Sequence, residues 1–343
     1  MPTIHDIAKE LNITASTVSR ALNDHPRISE ATKKAVLKVA KRLNYQPNHI
    51  AAALRNGRSN IIGIIVPTVD RSFFGSVIRG IEDVAKKANY NVMICQSHDD
   101  YDSEVSTVEA LLNARVDGII VSFAKNTENF DHFRKIHDKG IPLVLFDRSF
   151  SGLDISRVVI DDFMGAYQAT EHLIQQGCTR IAHFTSLKKI SIYKERLRGY
   201  KEALEAYNLP YRREYVLESY LQFEDGLEGL NQLLQLKERP DAIFSASDYS
   251  AVAAMNLCKE KGIAVPEEMA IVGFANEPFT SFCEPPMSTV DQQSMQVGNA
   301  AAEIFIEQIS VGRERFVPKR IVLTPELLIR KSSLKRIEQP ISK

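Results

Sequence analysis

From Asn60 onward the chain alternates short runs of β-branched and aliphatic residues with longer stretches of helical period, and that alternation limits the fold to wound parallel-sheet α/β. The runs Ile61–Val66, Asn91–Gln96, Gly118–Ser122, Pro142–Phe146, Val158–Ile160, Arg180–Phe184, Ala242–Ser245 and Met269–Gly273 are short and evenly apolar. They read as buried parallel strands. Between them lie amphipathic segments expected to be helices: Phe74–Ala88, Ser103–Ala114, Met164–Gln176, Arg196–Tyr207, Gly226–Leu236 and Ser250–Lys261. Roughly 280 residues of such winding exceed what one core usually holds, so two similar lobes are expected.

The first 58 residues follow a different pattern. Thr3 is placed to cap a helix with Asp6 at its third position, and Ile4, Ile7, Ala8 and Leu11 form one apolar face. Asn12 and Ile13 make a turn, and Thr14 caps a second helix. On it Val18, Ala21 and Leu22 point inward, leaving Ala15, Ser16, Thr17, Ser19 and Arg20 outside. Ser29 opens a third helix with Val36, Leu37, Val39, Ala40 and Leu43 on its apolar face, ending near Asn44. Pro47 breaks that helix. Asn48 can cap a short segment, His49 to Asn56, ended by Gly57 and too short to be stable alone in water. This head carries ten Lys or Arg against four acids, a charge of +6, in a chain whose formal net charge is zero. A cationic head on an anionic body is the asymmetry expected when one end meets phosphate. A capped helix pair is also common in ordinary helical packing. With this charge it reads as a helix-turn-helix, whose second helix offers its N-terminal side chains to base edges.

These markers resemble the lactose/galactose repressor (LacI/GalR) family of bacterial transcription regulators. The resemblance is carried by Thr-Ile-His-Asp-Ile-Ala at 3–8, Ser-Thr-Val-Ser-Arg-Ala-Leu-Asn at 16–23, Leu-Asn-Tyr-Gln-Pro-Asn at 43–48 and Ala-Ala-Leu-Arg-Asn-Gly-Arg-Ser at 52–59. It implies a lambda-repressor-like helix-turn-helix head at 1–46 and a hinge helix and linker at 47–58. A two-lobed effector domain of the type I periplasmic-binding-protein kind would follow, its doubly wound sheets joined by three crossings. The first lobe would span 61–160 with 291–320, the second 161–290 with 321–331, and a tail 332–343. Ala15, Ser16 and Arg20 would read the major groove, with Thr17, Ser19, Asn23 and Arg27 near the DNA backbone; Thr3 and Asn48 are also expected to bind DNA. Ala15 cannot hydrogen-bond a base edge, so preference should rest on Ser16 and Arg20; Arg20 also suits a phosphate contact. Paired hinge helices would place Leu54 as a wedge in the minor groove with Arg55 beside it. The partners implied are double-stranded operator DNA, a second copy of the chain meeting it through the first lobe, and a small-molecule effector, a carbohydrate by default.

In open α/β sheets ligands bind beyond the carboxyl ends of the strands. The residues there are Asp70, Arg71, Ser72, Phe73 and Phe74 after the first strand, Ser122 after the third, Asp147 and Arg148 after the fourth, and then Tyr193 and Arg196. The second lobe adds Phe223, Ser247, Asp248 and the Gly-Phe-Ala-Asn-Glu turn at 273–277, with Asn276. By analogy with the family, Phe73, Phe74, Asp147, Arg196, Phe223 and Asp248 would line the effector site. Asp248 equally suits the N-cap of a helix beginning near Tyr249, and Asp147–Arg148 a surface ion pair. Ala275 stands where the family commonly has an aspartate that holds sugar hydroxyls, leaving Asn276 or Glu277 as substitutes, or a ligand that is not a simple sugar.

No apolar run is long enough to span a membrane and the head is no signal peptide, so a cytoplasmic protein without membrane contact is expected. Cys95, Cys178, Cys258 and Cys283 lack metal or redox spacing and read as reduced core residues. Dinucleotide-binding, phosphate-loop, zinc-protease and nucleophile-elbow motifs are all missing, so no cofactor, metal or catalytic residue is expected. The sequence also lacks leucine heptads after Arg330, which argues against a tetramer built on a C-terminal coiled coil. The competing readings are a solute-binding protein without DNA function, which would need an export signal, and a sugar-processing enzyme, which would need an acid, base or nucleophile set.

Overall fold

A computed structural model describes residues 2–45, 58–150, 152–186, 190–312 and 314–335. Two compact units divide it, Met1–Ser59 and Asn60–Lys343. The hinge segment, with Asn48, Leu54 and Arg55, lies outside the described residues.

In the first unit three helices, α1 (Ile4–Glu10), α2 (Ala15–Leu22) and α3 (Glu30–Arg42), close a core of Ile7, Ala8, Val18, Ala21, Val36, Val39 and Ala40. Each start is fixed by a side chain. The Thr3 backbone N–H donates to Asp6 Oδ2 at 2.7 Å, Thr14 Oγ1 accepts from the Thr17 N–H and Ser29 Oγ from the Thr32 N–H, each at 3.2 Å. Asn12, at φ 50°, makes the turn between α1 and α2. Leu37 departs from its expected inward position: it is 55% exposed, because α3 buries only the stripe through Val36, Val39 and Ala40.

The second unit holds two six-stranded sheets. The first contains β1 (Ile61–Val66), β2 (Asn91–Gln96), β3 (Gly118–Val121), β4 (Leu143–Phe146), β5 (Ser156–Ile160) and β11 (Arg320–Leu323), in the order β11-β5-β4-β3-β1-β2 and parallel throughout. The second contains β6 (Ile181–Thr185), β7 (Val216–Glu218), β8 (Ala242–Ser245), β9 (Ala270–Phe274), β10 (Ser288–Asp291) and β12 (Glu326–Leu328), in the order β12-β10-β9-β8-β6-β7. Only β12 runs antiparallel to its neighbour. The helices are α4 (Ser72–Lys87), α5 (Tyr101–Asn113), α6 (Asp131–Asp138), α7 (Asp162–Gln175), α8 (Ser191–Ala206), α9 (Phe223–Leu234), α10 (Asp248–Glu260) and α11 (Ser294–Val311). The chain crosses between lobes after β5, after β10 and after β11.

Several expectations are corrected. Residues 321–323 belong to the first lobe, because Ile321 to Leu323 pair with Val158 to Ile160. Ser332 and Ser333 are fully buried in the second lobe instead of opening a tail: Ser332 Oγ donates to the Ile271 carbonyl at 2.6 Å, and His172 Nε2 lies 2.8 Å from Ser333 Oγ. β2 is not a buried strand. It forms a sheet edge, and Met93 and Ile94 are 37% and 43% exposed. Helix α8 begins five residues before Arg196, so that arginine sits in the second turn and does not open the helix. α6, β7, β10, α11, β11 and β12 were not among the expected elements.

Helix α11 packs on α4 with almost no side chain between them. A Cβ on Gly298 would fall 2.1 Å from the Val77 carbonyl oxygen, and one on Gly80 2.4 Å from that of Met295. Both crossings therefore require glycine.

Candidate functional site

On the head, α2 leaves Ser16 and Arg20 exposed, with Asn23 and Arg27 exposed just beyond it. Ala15 is half-buried and packs on the head core, so its methyl is partly spent on folding. Thr17 and Ser19 are half-buried, and Ser16 Oγ and Thr17 Oγ1 both lie 2.9 Å from the capping Thr14 Oγ1. Thr3 is exposed, its hydroxyl donating to Asp6 Oδ2 at 2.9 Å, and Asn23 Nδ2 donates to the Ser19 carbonyl at 2.7 Å. The free face of α2 is thus short, polar and cationic, with Arg20 its longest reach.

Within the second unit a cleft of about 530 Å³ lies between the carboxyl ends of the two sheets. Asp70, Phe73, Phe74, Asp147 and Arg148 line it from the first lobe, and Tyr193, Arg196 and Asp248 from the second. Ser122, Phe223 and Asn276 do not line it. Ser122 lies behind Asp147 and donates to its Oδ2 at 3.2 Å. Asn276 is tied away from the cleft, its Nδ2 donating to Asp291 at 2.7 Å and its Oδ1 accepting from Arg330 at 3.0 Å. Phe223 starts α9, and the loop before it, Tyr220 to Gln222, lines the wall in its place.

Arg196 is 4% exposed and forms the floor. Its Nε donates to Asp162 Oδ1 at 2.8 Å and its Nη1 to the Ala246 carbonyl at 2.9 Å, while the guanidinium lies 3.7 Å above the Phe274 ring. Burial pushes the Asp162 carboxyl above the ordinary range, against the pull of that guanidinium. Asp147 and Arg148 form a buried pair, with Arg148 Nε 3.8 Å from Asp147 Oδ2 and its Nη1 donating to Asp99 at 2.5 Å. Burial raises Asp147; for Asp99 burial acts upward too, but Arg148 and Lys125 together outweigh it and hold that carboxyl low. Ser247, not Asp248, is the N-cap of α10. Asp248 is wholly buried, accepts from Thr289 Oγ1 at 2.7 Å and from the Glu277 N–H at 2.8 Å, and is raised to about 7 by desolvation.

The lips of the cleft touch. Ser72 donates to Glu277 Oε2 from Oγ at 2.5 Å and from its backbone N–H at 3.2 Å; Arg71 Nη2 donates to Gln222 Oε1 at 2.8 Å, and its guanidinium lies 3.6 Å over the Tyr249 ring. Each of these contacts joins one lobe to the other. Gln222 and Tyr249 were absent from the expected site. Gln222 follows β7, a strand too short to show period, and Tyr249 is masked by a helix start. Among the described residues no cluster of metal-ligating groups occurs, no helix is long and apolar enough to cross a membrane, and the four cysteines are free, two of them only half-buried.

Residues 3–48 match the model of bacterial regulatory proteins of the lacI family, and residues 170–333 that of a periplasmic binding protein-like domain. The HTH-type transcriptional repressor PurR of Actinobacillus pleuropneumoniae serotype 3 is 31% identical over 97% of this chain and 98% of its own length. A solved complex of the transcriptional regulator CelR with cellobiose superimposes at TM-score 0.74 and 26% identity, covering 97% of this chain and all of that one. The lac repressor dimer bound to operator shares the fold at TM-score 0.86 and 22% identity, over 97% of this chain and 99% of the other. With a helix-turn-helix head and a two-lobed periplasmic-binding-protein-like body, the chain belongs to the LacI family of DNA-binding regulatory proteins.

Proposed function

We propose that the protein is a ligand-controlled repressor that binds a two-fold symmetric operator as a homodimer and takes its effector in the cleft between the lobes. The observation that carries this reading is the cleft itself: aromatic and charged side chains from both lobes converge on one cavity, so a bound molecule would contact both lobes at once. An effector acts by binding one lobe arrangement better than another, and the contacts of Arg71 and Ser72 to the second lobe are among those whose geometry depends on that arrangement. Ser16 and Arg20 read base edges, and Leu54 and Arg55 act from paired hinge segments in the minor groove. The edge strand β2, with Met93 and Ile94 exposed, meets its copy in a second subunit and covers apolar surface that a monomer leaves in water. The effector is a carbohydrate, supported by the mixture of ring-stacking and hydroxyl-reading groups and by the cellobiose held in the CelR complex.

Selection of bound sequences from a random DNA pool by the full-length protein, at fixed salt with and without a panel of sugars, tests this. Recovery of a palindrome whose enrichment changes with one compound is the expected result. No enrichment under any condition would overturn the reading.

A further inference from the structure

Beside the cleft a second cavity of about 570 Å³ opens between the lobes. Its first-lobe wall is aromatic: the rings of Phe130 and Phe150 stack with centroids 3.7 Å apart at 13°, and Phe123 meets them edge-on at 5.3 and 5.9 Å. Its second-lobe wall is the start of α8, where Ser191 Oγ donates to the Ser149 carbonyl at 3.3 Å and so bridges the lobes. Lys125 lines both this cavity and the main cleft, so the two spaces adjoin at that side chain.

The two spaces differ in charge. The main cleft mixes Asp70, Asp99, Asp147, Asp248 and Glu277 with Arg71, Lys125, Arg148 and Arg196, so its carboxyl groups outnumber its cations by one. In the side pocket two ammonium groups, those of Lys125 and Lys194, stand with one carboxylate, Glu128. Lys125 reaches its nearest acid, Asp99, only at 3.7 Å, and Lys194 is exposed and forms no ion pair among the described residues. Aromatic walls lower the local dielectric and strengthen what these ammonium groups offer an anion. Their faces also suit a ring.

We propose that the ligand is a two-part anion: one ring unit occupies the main cleft, and a second unit carries a phosphate or carboxylate into the side pocket, between Lys125 and Lys194. This rests on the reading of the cleft as the effector site and narrows the class of molecule that fills it. A neutral sugar would leave the Lys194 ammonium group without a charge partner among the described residues and Lys125 with only its 3.7 Å pair to Asp99.

The test is calorimetric titration of the full-length protein with matched neutral and anionic compounds: cellobiose, cellobiose 6′-phosphate and cellobiouronic acid, and adenosine with adenosine 5′-monophosphate. Lys194→Ala is titrated alongside; its side chain is exposed, so folding is unaffected. At least one anionic compound should bind tenfold or more tightly than its neutral partner, roughly what one charge-assisted hydrogen bond supplies, and Lys194→Ala should erase that preference without changing neutral binding. Whether the phosphate or the uronic acid shows the gain identifies the anion. Equal affinities within each pair, a preference that survives Lys194→Ala, or no binding by any of the five would overturn the proposal. An operator that responds to a neutral compound would remove the anion and leave the regulator intact.

Discussion

Ala275 sits at φ 135°, a region an L-residue with a Cβ adopts at a cost, and it occupies the position where the resemblance leads one to expect an aspartate. The turn is held from outside: the Ala275 N–H donates to the Val290 carbonyl at 2.9 Å, and Asp248 accepts from the N–H of Glu277. Ala275→Gly should therefore raise thermal stability by about 1 kcal/mol, read as an upward shift in melting temperature. Glu277, two residues later, points its carboxylate at Ser72 across the cleft, which the sequence offered only as an alternative to Asn276. Choosing between two adjacent polar residues needs the backbone path through a left-handed turn, and residue type alone does not reveal it. His183 makes a second residue-scale case. It is wholly buried between the rings of Tyr200 and Phe244, and burial pushes it down to about 4. A depressed histidine means that the unfolded chain binds the extra proton first, so stability is lost as pH falls from about 6.5 toward 4. His183→Phe should remove up to about 3 kcal/mol of that acid sensitivity, visible as a flatter dependence of denaturation midpoint on pH over that window.

Elements were legible where pattern and capping agreed. α2 was read nearly to the residue because Thr14 caps it and Val18, Ala21 and Leu22 recur at helical spacing. Thr14→Ala should cost the head about 1 kcal/mol in a thermal melt. Arg20→Ala should relax base preference at one symmetric pair of operator positions by about 1–3 kcal/mol in competition binding, whereas equal loss on all DNA would show that Arg20 touches phosphate only. Elements that escaped lacked such signals. β7 and β12 span three residues each, and β11 alternates exposed and half-buried positions at a sheet edge. α11 is apolar on several sides, because it is packed between α4 and the first sheet, and so shows weak amphipathic period. The crossing glycines explain its close seat on α4. Gly298→Val should destabilise by several kcal/mol in denaturant unfolding, since the added atoms meet backbone and cannot be absorbed by a rotamer change.

At the scale of the molecule, the two lobes were foreseen from length and winding, but not which residues meet between them. That depends on loops that follow strands in separate sheets, and on pairs more than a hundred residues apart such as Arg71 with Gln222 and Ser72 with Glu277. The double variant Arg71→Ala/Glu277→Gln should let the lobes part, measured as a larger radius of gyration by small-angle scattering; an unchanged radius would show that closure rests elsewhere. The three crossings have a further consequence during synthesis. The first sheet lacks its outer strand until Leu323 has left the ribosome, and the second lacks β12 until Leu328 has. A nascent chain released early therefore presents its helix-turn-helix head on a body with neither sheet finished, and the order of translation sets a late checkpoint on when the cleft between the lobes is complete.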